Sequence, residues 1–214
     1  MNRLPSLVRQ HLAALRGLIL FTAVCGIIYP LVMFGVAQAA FHNQANGSQV
    51  SYKGHVVGSS LLCQEFVNAK GDPLVQYFQP RPSDAVNAEV KNDYGCDPGF
   101  SAASNLGPNN PTLVQLVKQR QKAYAALNHV KISQIPPDAV TASGSGLDPD
   151  ISPQNAYLQV DRVAAARHAS PSAVRALVSR FVQGRPLGFL GEPRVDVLTL
   201  NIALDQQFPL PAGQ

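Results

Sequence analysis

The sequence predicts an α+β protein: a single N-terminal transmembrane helix followed by one mixed α+β domain outside the cytoplasm. Three observations predict it. No Asp, Glu, Lys or Arg occurs between Arg16 and Lys53. Beyond that gap, Asn110-Pro111, Ser152-Pro153 and Ser170-Pro171 each pair a capping residue with a proline suited to the first helical position. Short β-branched runs at "HVV" (55–57) and "RVDVLTLNIAL" (194–204) supply strand signals. At 214 residues with 46% hydrophobic content, the chain has room for one ordinary domain and a short appendage.

Residues 1–16 form a tail whose charges, Arg3, Arg9 and Arg16, are all positive. From Gly17 to Ala40, "GLILFTAVCGIIYPLVMFGVAQAA", the only polar side chains apart from Cys25 are Thr22, Tyr29 and Gln38. As a helix this run spans about 36 Å, enough to cross a hydrocarbon layer of about 30 Å. Pro30 is expected to kink it. Ala37-Gln38-Ala39 resembles a signal-cleavage site, but a signal's apolar region is only about 7 to 15 residues, so a retained span is expected. The arginines before the span predict a cytoplasmic N-terminus, with the body exported to the other side of the membrane. With three cations in the tail, the other 14 nearly balance 13 acidic residues. That argues against a nucleic-acid footprint, which needs clustered positive charge.

Residues 41–54 read as a polar linker and 55–214 as the folded domain. In "HVVGSSLLCQEF" (55–66), Gly58 is expected to bend the chain and Leu61, Leu62 and Phe66 to enter the core. The proline-rich stretch from Gly71 to Pro111 reads as loop and turn. Leu113, Leu116, Val117, Tyr124 and Leu127 recur at helical spacing after Asn110. Pro136-Pro137 stops that helix. A second helix follows Ser152, with Tyr157, Val160, Val163 and Ala164 on one face. A third carries Val174, Leu177, Val178 and Phe181 and ends at Gly184. The run 194–204 reads as a strand. Cys25 falls in the span. A disulfide between Cys63 and Cys96 is chemically permitted in an exported body, but two cysteines make no scaffold, and free buried thiols are the expectation.

The loop "VTASGSGLDPDISP" (140–153) concentrates the suggestive chemistry. It lacks the Gly-Lys-Ser/Thr of a phosphate loop. Ser145 has glycine directly on each side, so the Gly-x-Ser-x-Gly elbow of a membrane-tethered serine hydrolase, the alternative reading, is not specified. Asp148 and Asp150 lack the spacing and distal Glu of a calcium loop. They fit a turn before the helix capped by Ser152, with Gly144 and Gly146 allowing tight backbone. In "SAASNLGPNNP" (101–111), Ser101, Ser104 and Asn105 could present donors to an anion, although Ala102 and Ala103 disfavour a left-handed nest. His11, His42, His55, His129 and His168 show no metal spacing, and no metal site is expected.

The ordered blocks "GSSLLCQEF", "YFQPRPSDA", "SAASNLGPNNPTL", "PPDAVTASGSGLDPDISPQNA", "RVAAAR" and "LGEPRVDVLTLNIALD" resemble the C subunit of the bacterial high-affinity potassium-transporting ATPase. The resemblance covers nearly the whole body. It implies a non-catalytic subunit beside a potassium-channel-like subunit, a P-type ATPase subunit and a small membrane peptide, in a complex that uses ATP, magnesium and potassium. It further implies a catalytic-chaperone role that raises nucleotide affinity, with Ser101, Ser104 and Asn105 as nucleotide-contact candidates. Three positions depart from many relatives: Ala102-Ala103 stand where Gly-Gly is usual, and Cys63 where Gly is usual. The chain has no Asp-Lys-Thr-Gly phosphorylation motif, so hydrolysis is expected of a partner subunit.

Overall fold

The structure, a computed structural model, describes residues 5–210, and the chain divides into two compact units at Ser48 and Gln49. Arg3, used above for orientation, lies outside the described residues. The first unit is a continuous helix, Ser6–Ala40, with mean hydropathy 2.3 over its most apolar window and none of that window buried. It therefore begins well before the apolar run at Gly17. Helix α1 (Ser6–Phe21) passes through a π-helical stretch, Thr22–Ile28, into α2 (Tyr29–Ala40). Pro30 has no N–H to donate and its ring crowds the carbonyl four residues back, so the ladder widens just before it and continues. A single helical turn, α3 (His42–Ala45), follows where a linker was expected.

The second unit opens on a hairpin of β1 (Gln49–Tyr52) and β2 (His55–Ser59). Lys53 and Gly54, both at positive φ, form its two-residue turn, the geometry that matches strand twist. Gly58 lies within β2, where an added β-carbon would meet Leu198 at 2.9 Å. Leu61 does not enter the core but is 58% exposed, whereas Phe66 packs against it.

Helix α4 (Pro111–Asn128) starts where the sequence predicts, Asn110 Oδ1 accepting from Thr112 N at 2.9 Å. Helix α5 (Pro153–Ala166) is capped by Ser152 and α6 (Pro171–Phe181) by Ser170, each hydroxyl accepting from the backbone three residues on. Helix α6 stops at Phe181, short of Gly184. The C-terminal strand reading is corrected. Only Val195–Asp196 is extended, as β4, pairing antiparallel with β3 (Asp150–Ile151), and the remainder is helix α7 (Val197–Gln207). Asp196 turns the chain, accepting from Thr199 N at 2.6 Å. Val197, Leu200, Asn201 and Leu204 are then buried at helical spacing; a short apolar run fits either period until a cap decides it.

The core is the meeting of α5, α6 and α7 around Val160, Val163, Val174, Leu177, Val178, Leu200 and Leu204, with Phe78 inserted from the irregular segment. The expectation of free thiols is also corrected: Cys63 and Cys96 form a disulfide with Cα atoms 5.4 Å apart, closing 33 residues of proline-rich chain. Both cysteines are buried. That stretch has too little regular structure to hold its own ends together, which makes a covalent tie effective there.

Candidate functional site

The two suggestive stretches of the sequence meet. Ala102 N and Ser101 Oγ both donate to Ser145 O, at 3.0 and 2.9 Å. Ser83 ties this junction to the disulfide. Its hydroxyl donates to Gly146 O at 2.7 Å and accepts from Cys96 N at 2.9 Å and Ala85 N at 3.0 Å. Cys63 N donates to Leu147 O, and Ser143 N to Pro82 O. Four loops thus exchange backbone hydrogen bonds at one place, an economical way to satisfy buried polar groups without a ladder.

Gly146 explains why glycine is needed there. It has φ +74°, and a β-carbon would lie 2.6 Å from Ala102 O and from Ala85 Cβ. Gly144 has no such neighbour and no positive φ. Ser145 Oγ lies 3.2 Å from Ser143 Oγ and accepts from Leu147 N. Among the described residues no histidine or carboxylate hydrogen-bonds it, so the junction supplies no base for a nucleophile. Asn105 bonds only locally, its Nδ2 donating to Ala103 O, at φ +51°. Ser104 is half-buried. The structure brings Ser101 to the Ser-Gly-Ser-Gly turn, but neither Ser104 nor Asn105 hydrogen-bonds that turn.

Asp148 accepts from Arg81 Nη1 at 2.7 Å and from Asp150 N at 3.0 Å. Asp150 pairs with Arg194 at 3.0 Å. Burial pushes the Asp150 carboxyl up to about 6; Arg194 opposes this, and the nearby Asp148 and Asp196 add to it. Ser152, besides capping α5, donates to Asp138 Oδ1, while Asp138 Oδ2 accepts from Ser152 N and Asn155 Nδ2. All three contacts are structural.

Sequence reasoning missed two groups of residues. One is a set of polar side chains clasping the extended segment 75–79. Gln159 exchanges two hydrogen bonds with the Gln79 backbone and Asn201 two with that of Phe78. Arg162 donates to Val75 O and Tyr77 O, and Arg167 to Gln76 O. Polar residues on otherwise apolar helix faces were the available signal. Arg167 also pairs with Asp205 at 2.7 Å.

The other is Glu65, in a cleft of about 500 Å³ that Asp93, Asp97 and the disulfide also line, with no Lys or Arg among its walls. The Glu65 side chain has no hydrogen-bond or ion-pair partner among the described residues, and Gly95 packs directly on its carboxyl. Burial first, then the Asp93 charge, pushes its pKa up to about 7.

The fold defines a class of chain with one apolar helix long enough to cross a membrane, followed by an α+β domain. Residues 11–206 match the family described as K+-transporting ATPase, c chain, and the chain belongs to that family. It is 47% identical over 206 residues to the potassium-transporting ATPase KdpC subunit of Kineococcus radiotolerans, covering 96% of this chain and 98% of that one. It is 43% identical over 217 residues to the subunit of the same name from Streptomyces avermitilis, with 96% and 97% covered. The KdpC subunit of Mycobacterium tuberculosis is 46% identical over 199 residues, with 92% and 98% covered.

Proposed function

We propose that this chain is a non-catalytic accessory subunit of an ATP-driven potassium uptake pump, anchored in the bacterial inner membrane by Ser6–Ala40 with its body outside. The match over residues 11–206 carries this reading. ATP hydrolysis then belongs to a partner P-type ATPase subunit, and potassium conduction to a channel-like subunit, with a small membrane peptide completing the complex. The chain supports assembly and raises the ATPase subunit's affinity for nucleotide. The buried disulfide supports an oxidising compartment for the body, since such bonds persist outside the cytosol. Arg9 and Arg16, flanking the apolar run on one side only, support the same orientation.

Potassium uptake at micromolar external potassium tests the reading. A strain lacking this chain should lose it, and the body released from its span should restore it only weakly, because tethering raises local concentration. Normal uptake without the chain would remove the accessory-subunit reading. A cysteine introduced at Gln214 should react with an impermeant reagent in intact cells; protection would reverse the orientation.

A further inference from the structure

The body carries an apolar cluster that its own core does not use. In loop 185–192, Leu187 is 82% exposed, Phe189 71% and Leu190 47%. This loop is built as a rigid wedge. At its base Gln183 and Arg194 exchange two backbone hydrogen bonds, of 2.8 and 3.0 Å, and Arg185 pairs with Glu192 at 2.6 Å. Towards the tip, Gly188 N donates to Arg185 O, while Phe189 N and Leu190 N both donate to Pro186 O. Leu187 sits at φ +54° beside Gly188 at +81°, a conformation a leucine holds only against a local energy cost.

Three features of the wedge select its partner. The tip offers apolar side chains, and its N–H groups at 188, 189 and 190 are already satisfied internally, so they can leave water without becoming orphans. A protein interface would be expected to use about one hydrogen bond per 100–200 Å², and these tip donors are not available for that. The Arg185–Glu192 pair neutralises charge at the base.

We propose that loop 185–192 is an interfacial anchor that seats Leu187, Phe189 and Leu190 in the headgroup–acyl boundary of a lipid bilayer. This rests on the membrane-anchored reading above and adds a second, weaker attachment on the body itself. Such attachment scales with buried apolar area and is reversible, so it orients the body without replacing the span.

The chain has no tryptophan, so one reporter at a time is unambiguous. Full-length Phe189→Trp, Leu187→Trp and Phe100→Trp variants would be reconstituted into phosphatidylcholine and phosphatidylglycerol vesicles, with and without brominated acyl chains, and floated. Brominated lipid should lower the emission of the Phe189→Trp and Leu187→Trp variants by about threefold and leave that of Phe100→Trp nearly unchanged, as boundary burial of the loop alone requires. Flotation without quenching at either loop position overturns the interfacial anchor but leaves the span intact. Failure to float overturns both. The same reporters in the assembled pump should stay quenched; protection there would assign the wedge to a protein partner and overturn the proposal.

Discussion

Gly144 and Gly146 look equivalent in the sequence and are opposite in the structure. Gly146 combines positive φ with backbone atoms on the side a methyl group would occupy, while Gly144 faces open space. Gly146→Ala should therefore destabilise the chain by about 2 kcal/mol or more, and Gly144→Ala by about 0.5 kcal/mol or less. Thermal unfolding of both variants in mild detergent checks this. Glu65 makes a separate prediction. Its folded-state pKa of about 7 lies above the ordinary 4.5, so the native state holds an extra proton between those values. Its contribution is therefore most favourable below about pH 4.5, falls as pH rises towards 7, and is flat above. Asp150, raised to about 6, acts in the same direction over a lower window. Glu65→Gln should gain stability relative to the parent at pH 8 and lose that advantage at pH 5, read from paired melting curves. The sequence carried no sign of Glu65, because its environment comes from a loop 30 residues away that the disulfide brings over it.

Helices α4, α5 and α6 were legible because each begins with a side-chain cap followed by proline, a signal contained in two adjacent residues. Helix α7 was not, because the same apolar run fits a period of two until Asp196 caps Thr199. The disulfide was illegible for a different reason: pairing depends on where two loops end up, not on their spacing. The clasp on segment 75–79 was hidden in the same way, since Gln159 and Asn201 are separated from the peptides they bind by 80 and 123 residues. Asn201→Leu leaves two buried backbone groups of that segment without partners, and Gln159→Leu two half-buried ones. Each should cost about 2 to 6 kcal/mol, from two groups at roughly 1–3 kcal/mol apiece. Amide exchange at Gln79 and Phe78 should accelerate selectively; unchanged exchange there would show that the clasp is dispensable.

At the scale of the whole molecule, the body is held by ties between distant parts of the chain more than by sheet, since the two ribbons among its described residues are only two-stranded. The disulfide is the covalent tie among them. Closing 33 residues, it should contribute about 3 to 4 kcal/mol by restricting the unfolded chain. Cys63→Ser with Cys96→Ser should lower stability by that order and raise proteolysis of the 63–98 region; resistance equal to the parent would place the loop's order elsewhere.

The clasp also carries a consequence for how the protein is made. Tyr77 donates to Asp205 across 128 residues, and Arg167, which holds Gln76, also needs Phe208 O. At about 5 to 20 residues per second, a ribosome takes roughly 6 to 26 s to travel from one end of that tie to the other. Throughout that interval Phe78 has been synthesised and has no α7 to close over it. The newborn chain therefore depends on whatever shields an unfinished core, and a message truncated anywhere before α7 yields a product exposed to proteases.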